Sequence, residues 1–278
     1  MPAERNIAYI DTPGDSVRVV QLTDTHLCAE AGGKLLGMDT DHSLQAVIDL
    51  VRRERDAVDL LLGTGDLADS GAAPAYLRLR DYFGQFPCPQ YWLPGNHDQF
   101  EHMQQAAAGQ AWLSRELRAG NWQIVLLDSQ VPGEVGGELG DAELALLEAA
   151  LADAAAAGLH SLVCLHHHPV EIGCAWLDQQ IVADAARFFS VLDRFDGVRA
   201  VLWGHVHQEI DRLRGDVRLL ASPSTCVQFA PGSDTFRADD LPPGYRWLDL
   251  HPDGRLDTGV SRVRDIKFSV DLDSGGYL

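Results

Sequence analysis

The sequence predicts an α/β fold, and three observations predict it. Short runs of Val, Ile and Leu alternate with longer stretches whose apolar residues recur at helical spacing. Polar clusters follow the apolar runs, where ligands gather in open α/β sheets. Two hairpin patterns come after the last alternating unit and add antiparallel strands.

VRVVQL (Val17–Leu22) is the first strand expected. Residues 41–55 read as a helix, with Leu44, Val47, Ile48 and Val51 on one face and Asp41 as cap. VDLLL (58–62) is a second strand. Residues 74–83 form a helix with proline near its start. QYWL (90–93) and WQIVLLD (122–128) are strands. Residues 141–157 form an alanine-rich helix capped by Asp141 and stopped by Gly158. SLVCL (161–165) is a strand, residues 178–195 a helix, and VRAVLW (198–203) a strand. Residues 209–221 read as a hairpin turning at Gly215-Asp216, and residues 244–263 as another turning at Asp253-Gly254. Residues 230–243 are a loop. No internal repeat or domain boundary is visible. The expectation is one domain over residues 1–278, with its core at about 15–263 and a tail at 264–278.

Of the 278 residues, 46% are hydrophobic and 23% charged, which is a globular composition. The net charge of -19 argues against a nucleic-acid footprint, which needs clustered Lys and Arg. It leaves room for an anionic substrate where bound cations reverse the local potential. The five cysteines show no C-x-x-C spacing, so disulfides are not expected. With no signal peptide and no apolar span, the expected location is the cytoplasm, without membrane contact.

Five strands end in polar clusters: TDTH with Asp24 and His26, GTGD with Asp66, PGNHD with Asn96, His97 and Asp98, HHH with His166, His167 and His168, and GHVH with His205 and His207. Singly, each has a plain reading: Asp66 as a helix cap, Asn96 as a turn residue. Jointly they form a mixed O/N donor set without thiolate, suited to Mn, Fe or Zn. Alternation turns Asp24 and His26 the same way, and likewise His205 and His207. It also leaves both His166 and His168 as candidates in the triple-histidine run. So many donors suit two metals, a known device for displacement at phosphorus.

The series DTH, GD, GNHD, HH and GHVH resembles the motifs of the calcineurin-like metallophosphoesterases, in order and over most of the chain. CAWLD (174–178), GHVHQE (204–209) and SPSTCVQF (222–229) narrow the resemblance to the bacterial class III cyclic nucleotide phosphodiesterases. The resemblance implies a four-layer αββα sandwich with mixed sheets. It gives one metal to Asp24, His26 and His207, a second to Asn96, His166 and His205, and Asp66 to both. It makes His97 the histidine facing the phosphate and the leading candidate to protonate the leaving oxygen. Asp98 is expected to orient His97, and Asn96, His97 and His207 to contact substrate. The activity implied is hydrolysis of 3′,5′-cyclic AMP to 5′-AMP by a metal-bridged hydroxide, with two ions, Fe or Mn foremost and Zn allowed. Some relatives associate, so a homodimer is an expectation too.

The alternatives are a broader phosphodiesterase or phosphatase acting on glycerophosphodiesters or 2′,3′-cyclic nucleotides, a nuclease, and a scaffold without chemistry. Trp176 and Phe229 are candidates to stack on a base.

Overall fold

The computed structural model describes residues 6–276. In chain order these form β1 (Ile7–Ile10), β2 (Val17–Leu22), β3 (Lys34–Leu35), β4 (Met38–Asp39), α1 (Thr40–Glu54), β5 (Leu60–Thr64), α2 (Ala73–Phe83), β6 (Gln90–Leu93), α3 (Phe100–Ala106), β7 (Glu116–Ala119) and β8 (Trp122–Leu126). There follow α4 (Gly140–Ala156), β9 (His160–Cys164), α5 (Ala185–Leu192), β10 (Val198–Trp203), β11 (Ile210–Arg214), β12 (Val217–Ala221), β13 (Gln228–Phe229), β14 (Ala238–Asp239), β15 (Gly244–Leu250) and β16 (Leu256–Arg262).

The strands build two mixed sheets. One has seven strands in the order β1-β7-β8-β9-β10-β12-β11, and the other five in the order β16-β15-β2-β5-β6. Strand alternation explains the layering. Leu162, Cys164, Ala200 and Leu202 of the large sheet meet Val19, Leu60, Leu62 and Leu93 of the small one. Their sequence neighbours Val163 and Val201 point outward to α4 and α5, while Val20 and Leu61 point to α1, α2 and α3. Both faces of each central strand are therefore buried, and these strands read as continuous apolar runs. The result is the four-layer αββα sandwich with its two later hairpins.

Local chemistry moved several element ends. The N-cap of α1 is Asp39, whose side chain accepts the His42 N–H, and not Asp41. Asp41 instead accepts from Arg78 Nε at 3.0 Å and Tyr82 OH at 3.1 Å, tying α1 to α2. The first turn of α4 is capped from afar by Asp184, which accepts the Leu139 and Gly140 N–H groups. Asp141 sits within that first turn with its side chain exposed and pairs with Arg187. The helix expected at 178–195 breaks into a 3₁₀ turn, Asp178–Gln180, and α5. Between them the Val182 and Ala183 N–H groups donate to the His168 and Gly137 carbonyls, so these donors hold loops instead of a helical turn. Strands β1 and β7, helix α3 and the small β3–β4 hairpin carry no pattern strong enough to appear in the sequence reading.

Candidate metal centre

Parallel pairing of β2, β5 and β6, and of β9 and β10, brings the C-terminal ends of all five strands to one edge. There the loops are stitched together by their backbones. Asp24 N–H donates to the Gly65 carbonyl at 3.0 Å, His26 N–H to Asp66 at 2.9 Å, and Gly204 N–H to His166 at 3.2 Å. Beneath them Gln21 Nε2 donates to Thr64 Oγ1 in its own sheet and to the Trp203 carbonyl in the other.

The backbone itself marks the site. Among the described residues, six non-glycine residues have positive φ, and five of them are Asp24, His26, Asp66, His205 and His207. Such a conformation costs on the order of 1–3 kcal/mol each and persists only where the surroundings enforce it. Glycines let the loops close in. A Cβ on Gly95 would lie 2.2 Å from Asp66 Oδ1, and one on Gly65 2.2 Å from His166 Nδ1.

The side chains converge as acceptors. His207 Nδ1 lies 2.7 Å from the Val227 carbonyl. A carbonyl only accepts, so this nitrogen carries the proton and Nε2 offers a lone pair to the site. His166 is held in the same way, with Nδ1 donating to the Thr64 carbonyl at 2.9 Å. This is how metal-ligating histidines are commonly fixed. His207 Nε2 sits 3.3 Å from His26 Nε2 and 3.3 Å from Asp24 Oδ1. On the other side His166 Nε2 is 3.2 Å from Asp66 Oδ2 and 3.2 Å from Asn96 Oδ1. Asp66 Oδ2 also lies 3.8 Å from His26 Nε2, so this carboxylate stands between the two groups. Asp24, His26 and His207 offer donor atoms within 4.8 Å of one another, as do Asp24, Asp66 and His166. His205 Nε2 is buried and has no hydrogen-bond partner. Facing acceptors and an orphaned buried nitrogen are what a cation satisfies and what a solvated turn does not need. The donor set therefore fits metal ions.

The electrostatics agree. Burial opposes ionisation of Asp66, but the His166 and His97 rings outweigh it and hold its carboxyl well below the usual range. Burial lowers the His166 pKa, yet Asp66 overrides it and lifts the ring to about 9, a proton that a metal would displace. Burial and three neighbouring rings keep His205 neutral, as a ligand must be.

The structure separates the three consecutive histidines. His166 turns its Nε2 to Asp66 and Asn96 at the centre. His167 is spent: Ser129 Oγ lies 2.8 Å from its Nδ1 and the Val135 carbonyl 3.1 Å from its Nε2. The His168 ring stacks on His205 with centroids 5.6 Å apart.

Asp98 is placed differently from its expected role. Its carboxylate accepts from the Leu67, Ala68 and Gly95 N–H groups and from Tyr76 OH. The His97 ring is instead held by the Asp69 carbonyl, 2.7 Å from Nδ1. Asp98 therefore fixes the loops that carry Asp66 and Asn96. Asp69, which also lies 3.5 Å from His26 Nδ1, is a residue the sequence reading missed. Its only signal was its place three residues after Asp66.

A cavity of about 240 Å³ opens beside the centre, walled by Asn96, His97, His205, Trp176, Phe229 and Phe236. Trp176 and Phe229 meet edge to face with centroids 5.1 Å apart. Phe229 stacks flat on the His207 ring at 4.0 Å. His207 thus lies behind Phe229, and Asn96 and His97 are the expected substrate contacts that face the cavity.

Residues 17–209 match the family model described as calcineurin-like phosphoesterase. The chain belongs to the calcineurin-like phosphoesterase family. Among its relatives is the 3′,5′-cyclic adenosine monophosphate phosphodiesterase CpdA of Pseudomonas aeruginosa, 51% identical over 94% of this chain and 96% of that protein. The protein of that name in Escherichia coli K12 is 45% identical over 94% of this chain and 95% of its own length. A dimetal phosphatase from Danio rerio shares the fold with a TM-score of 0.59 at 15% identity, covering 89% of this chain and 99% of that one. This phosphoesterase thus pairs a family built around metal ions with clustered His and Asp donors for two of them. No helix among its described residues is long and apolar enough to cross a membrane.

Proposed function

We propose that this phosphoesterase hydrolyses 3′,5′-cyclic AMP to 5′-AMP. The observation that carries the reading is the adjacency of the acceptor cluster to an aromatic cavity of about 240 Å³. The relatives named for this activity support it over nearly the whole chain.

In this reading Asp24, His26 and His207 hold one ion, Asn96, His166 and His205 the other, and Asp66 both. Iron or manganese suits the donors best, with zinc fitting as well. When bound, two such ions supply Lewis acidity at the phosphoryl group and lower the pKa of water. The remaining work belongs to side chains. Asn96 and His97 meet the phosphate, and Trp176 offers its ring to the base over a wall formed by buried Phe229. Asp69 fixes the His97 ring through Nδ1, so Nε2 faces the leaving 3′ oxygen. Burial lowers the His97 pKa, but Asp66 and the Asp69 contact outweigh it and raise it above 6.5. Asp98 is a positioning residue that acts through the loop backbone. The cytoplasm, where cyclic AMP acts as a messenger, is the location that goes with this reading.

The test is a panel of 3′,5′-cyclic AMP, cyclic GMP, 2′,3′-cyclic AMP and glycerophosphocholine, offered to stripped protein with manganese or iron restored. Product chromatography should show metal-dependent 5′-AMP from 3′,5′-cyclic AMP as the dominant product. If cyclic AMP is inert while another diester turns over, the substrate assignment falls and the metal centre stands.

A further inference from the structure

The segment after β16 does more than pack. Ile266 and Phe268 lie against the cluster under α1, and Phe268 and Val270 against Leu35, Met38, Cys226 and Val227. The Asp271 N–H donates to the Leu36 carbonyl at 2.7 Å. Leu36 is the sixth non-glycine residue with positive φ, at 46°, and it lies outside the metal centre. With Gly37 at 82° it makes the two-residue turn of the β3–β4 hairpin. That turn favours Asn or Gly at its first position, so a leucine there is strained. The strained carbonyl is the one that anchors the segment. Beyond the anchor, Ser274 Oγ donates to the Gly276 carbonyl at 2.7 Å, and Gly275 and Gly276 line the same cavity as Asn96, His97 and His205. A Cβ on Gly275 would meet no protein atom within 4 Å, whereas Gly276, at φ +151°, holds a backbone conformation that side-chain-bearing residues rarely adopt. Bare backbone lets this wall stand close to a ligand.

We propose that segment 264–276 is a specificity element that limits which diesters reach the metal centre. This rests on the phosphodiesterase reading, but not on cyclic AMP in particular. The walled cavity of about 240 Å³ is smaller than the ~300 Å³ at the low end of usual small-molecule sites. A cyclic diester brings a single substituent to the centre, whereas a linear diester brings two. A wall at Gly275 and Gly276 favours the first over the second.

Two variants test it, and neither touches the metal centre. Full-length Phe268→Ser/Val270→Ser unseats the segment. A chain ending at Asp273 removes the wall while keeping the Asp271 anchor, so its fold is not disturbed. With manganese restored, kcat and KM are measured for 3′,5′-cyclic AMP and for bis(p-nitrophenyl) phosphate, beside metal content and melting temperature. Both variants should raise the linear-to-cyclic ratio of kcat/KM at least about tenfold. The KM for the cyclic substrate should rise with metal content unchanged. A ratio that stays constant in both, with metal intact, overturns the proposal. If the intact protein leaves 3′,5′-cyclic AMP unhydrolysed, the cyclic AMP reading falls separately. The ratio taken with 2′,3′-cyclic AMP then decides for or against the wall.

Discussion

At the scale of single residues, this protein gathers buried donor atoms of the kind that cations reconcile. Two consequences can be measured. His97 touches the cavity and its ring is fixed by the Asp69 carbonyl; it approaches His26 and Asp66, but those two also meet His207 and His166, so the ions keep other donors without it. His97→Ala should therefore lower kcat by about 10²–10⁴-fold while metal content by plasma mass spectrometry stays at the parent level. Loss of both would show that the ring supports the ions and is not the proton donor. Gly95→Ala should do the opposite. A Cβ 2.2 Å from Asp66 Oδ1 must push that carboxylate aside. Metal content should fall with activity, and a variant keeping both ions would contradict the place given to Asp66 between them.

At the scale of elements, the question is what holds two sheets in the register that the site requires. Buried Arg246 of β15 reaches across, donating from Nη2 to the Ala221 carbonyl at 2.7 Å and from Nε to Ser222 Oγ at 3.2 Å. Ser222 Oγ in turn donates to Gln21 Oε1, and Gln21 bonds Thr64 and Trp203. This chain of bonds runs beneath the loops bearing Asp24, Asp66 and His205. Within the small sheet, Arg18 grips Asp59 through Nη2 at 2.7 Å and Nε at 2.9 Å, tying β2 to the start of β5. Burial alone would raise the Asp59 pKa, but Arg18 outweighs it and holds it below 3.8. A carboxyl depressed on folding contributes stability above its unfolded pKa and loses it as pH falls through the folded value. Asp59→Asn should thus cost about 2 kcal/mol at neutral pH, and the gap should close as pH falls below the ordinary carboxylate range and through the depressed folded value. Urea titrations at both pH values give the answer, and a gap independent of pH would remove the ion pair as its source.

At the scale of the whole molecule, the metal centre is a fold element as well as a site. Five strained residues and a set of buried acceptors meet where five loops from two sheets converge. Ions that bind the folded state should stabilise it by about 2.7 kcal/mol per site at a hundredfold excess over Kd. Stripping with chelator should accordingly lower the melting temperature by roughly 5–10 °C, and manganese should restore it. An unchanged melting curve, with no metal retained after dialysis against manganese, would remove the ions from the account.

Features set by near neighbours in the chain are legible before it folds. Strands β2, β6 and β10 are visible because both faces are buried, which leaves uninterrupted apolar runs. The two late hairpins are visible because Gly-Asp and Asp-Gly punctuate them. The donors are visible because each follows such a strand within a few residues. Tertiary structure decided whatever depends on residues far apart in the chain. Caps came from Asp39 and Asp184 because a carboxylate needs free N–H groups, wherever in the chain it comes from. His166 was set by the Thr64 carbonyl on β5 and His168 by stacking on His205, neither visible from alternation. Asp98 turned to backbone donors of a distant loop, and the Asp69 carbonyl took the His97 ring. The segment after β16 reached the cavity through the strained carbonyl of Leu36. Periodicity records which face a residue shows, but hydrogen-bond partners are chosen by distance in space, and only the packed sheets set that distance.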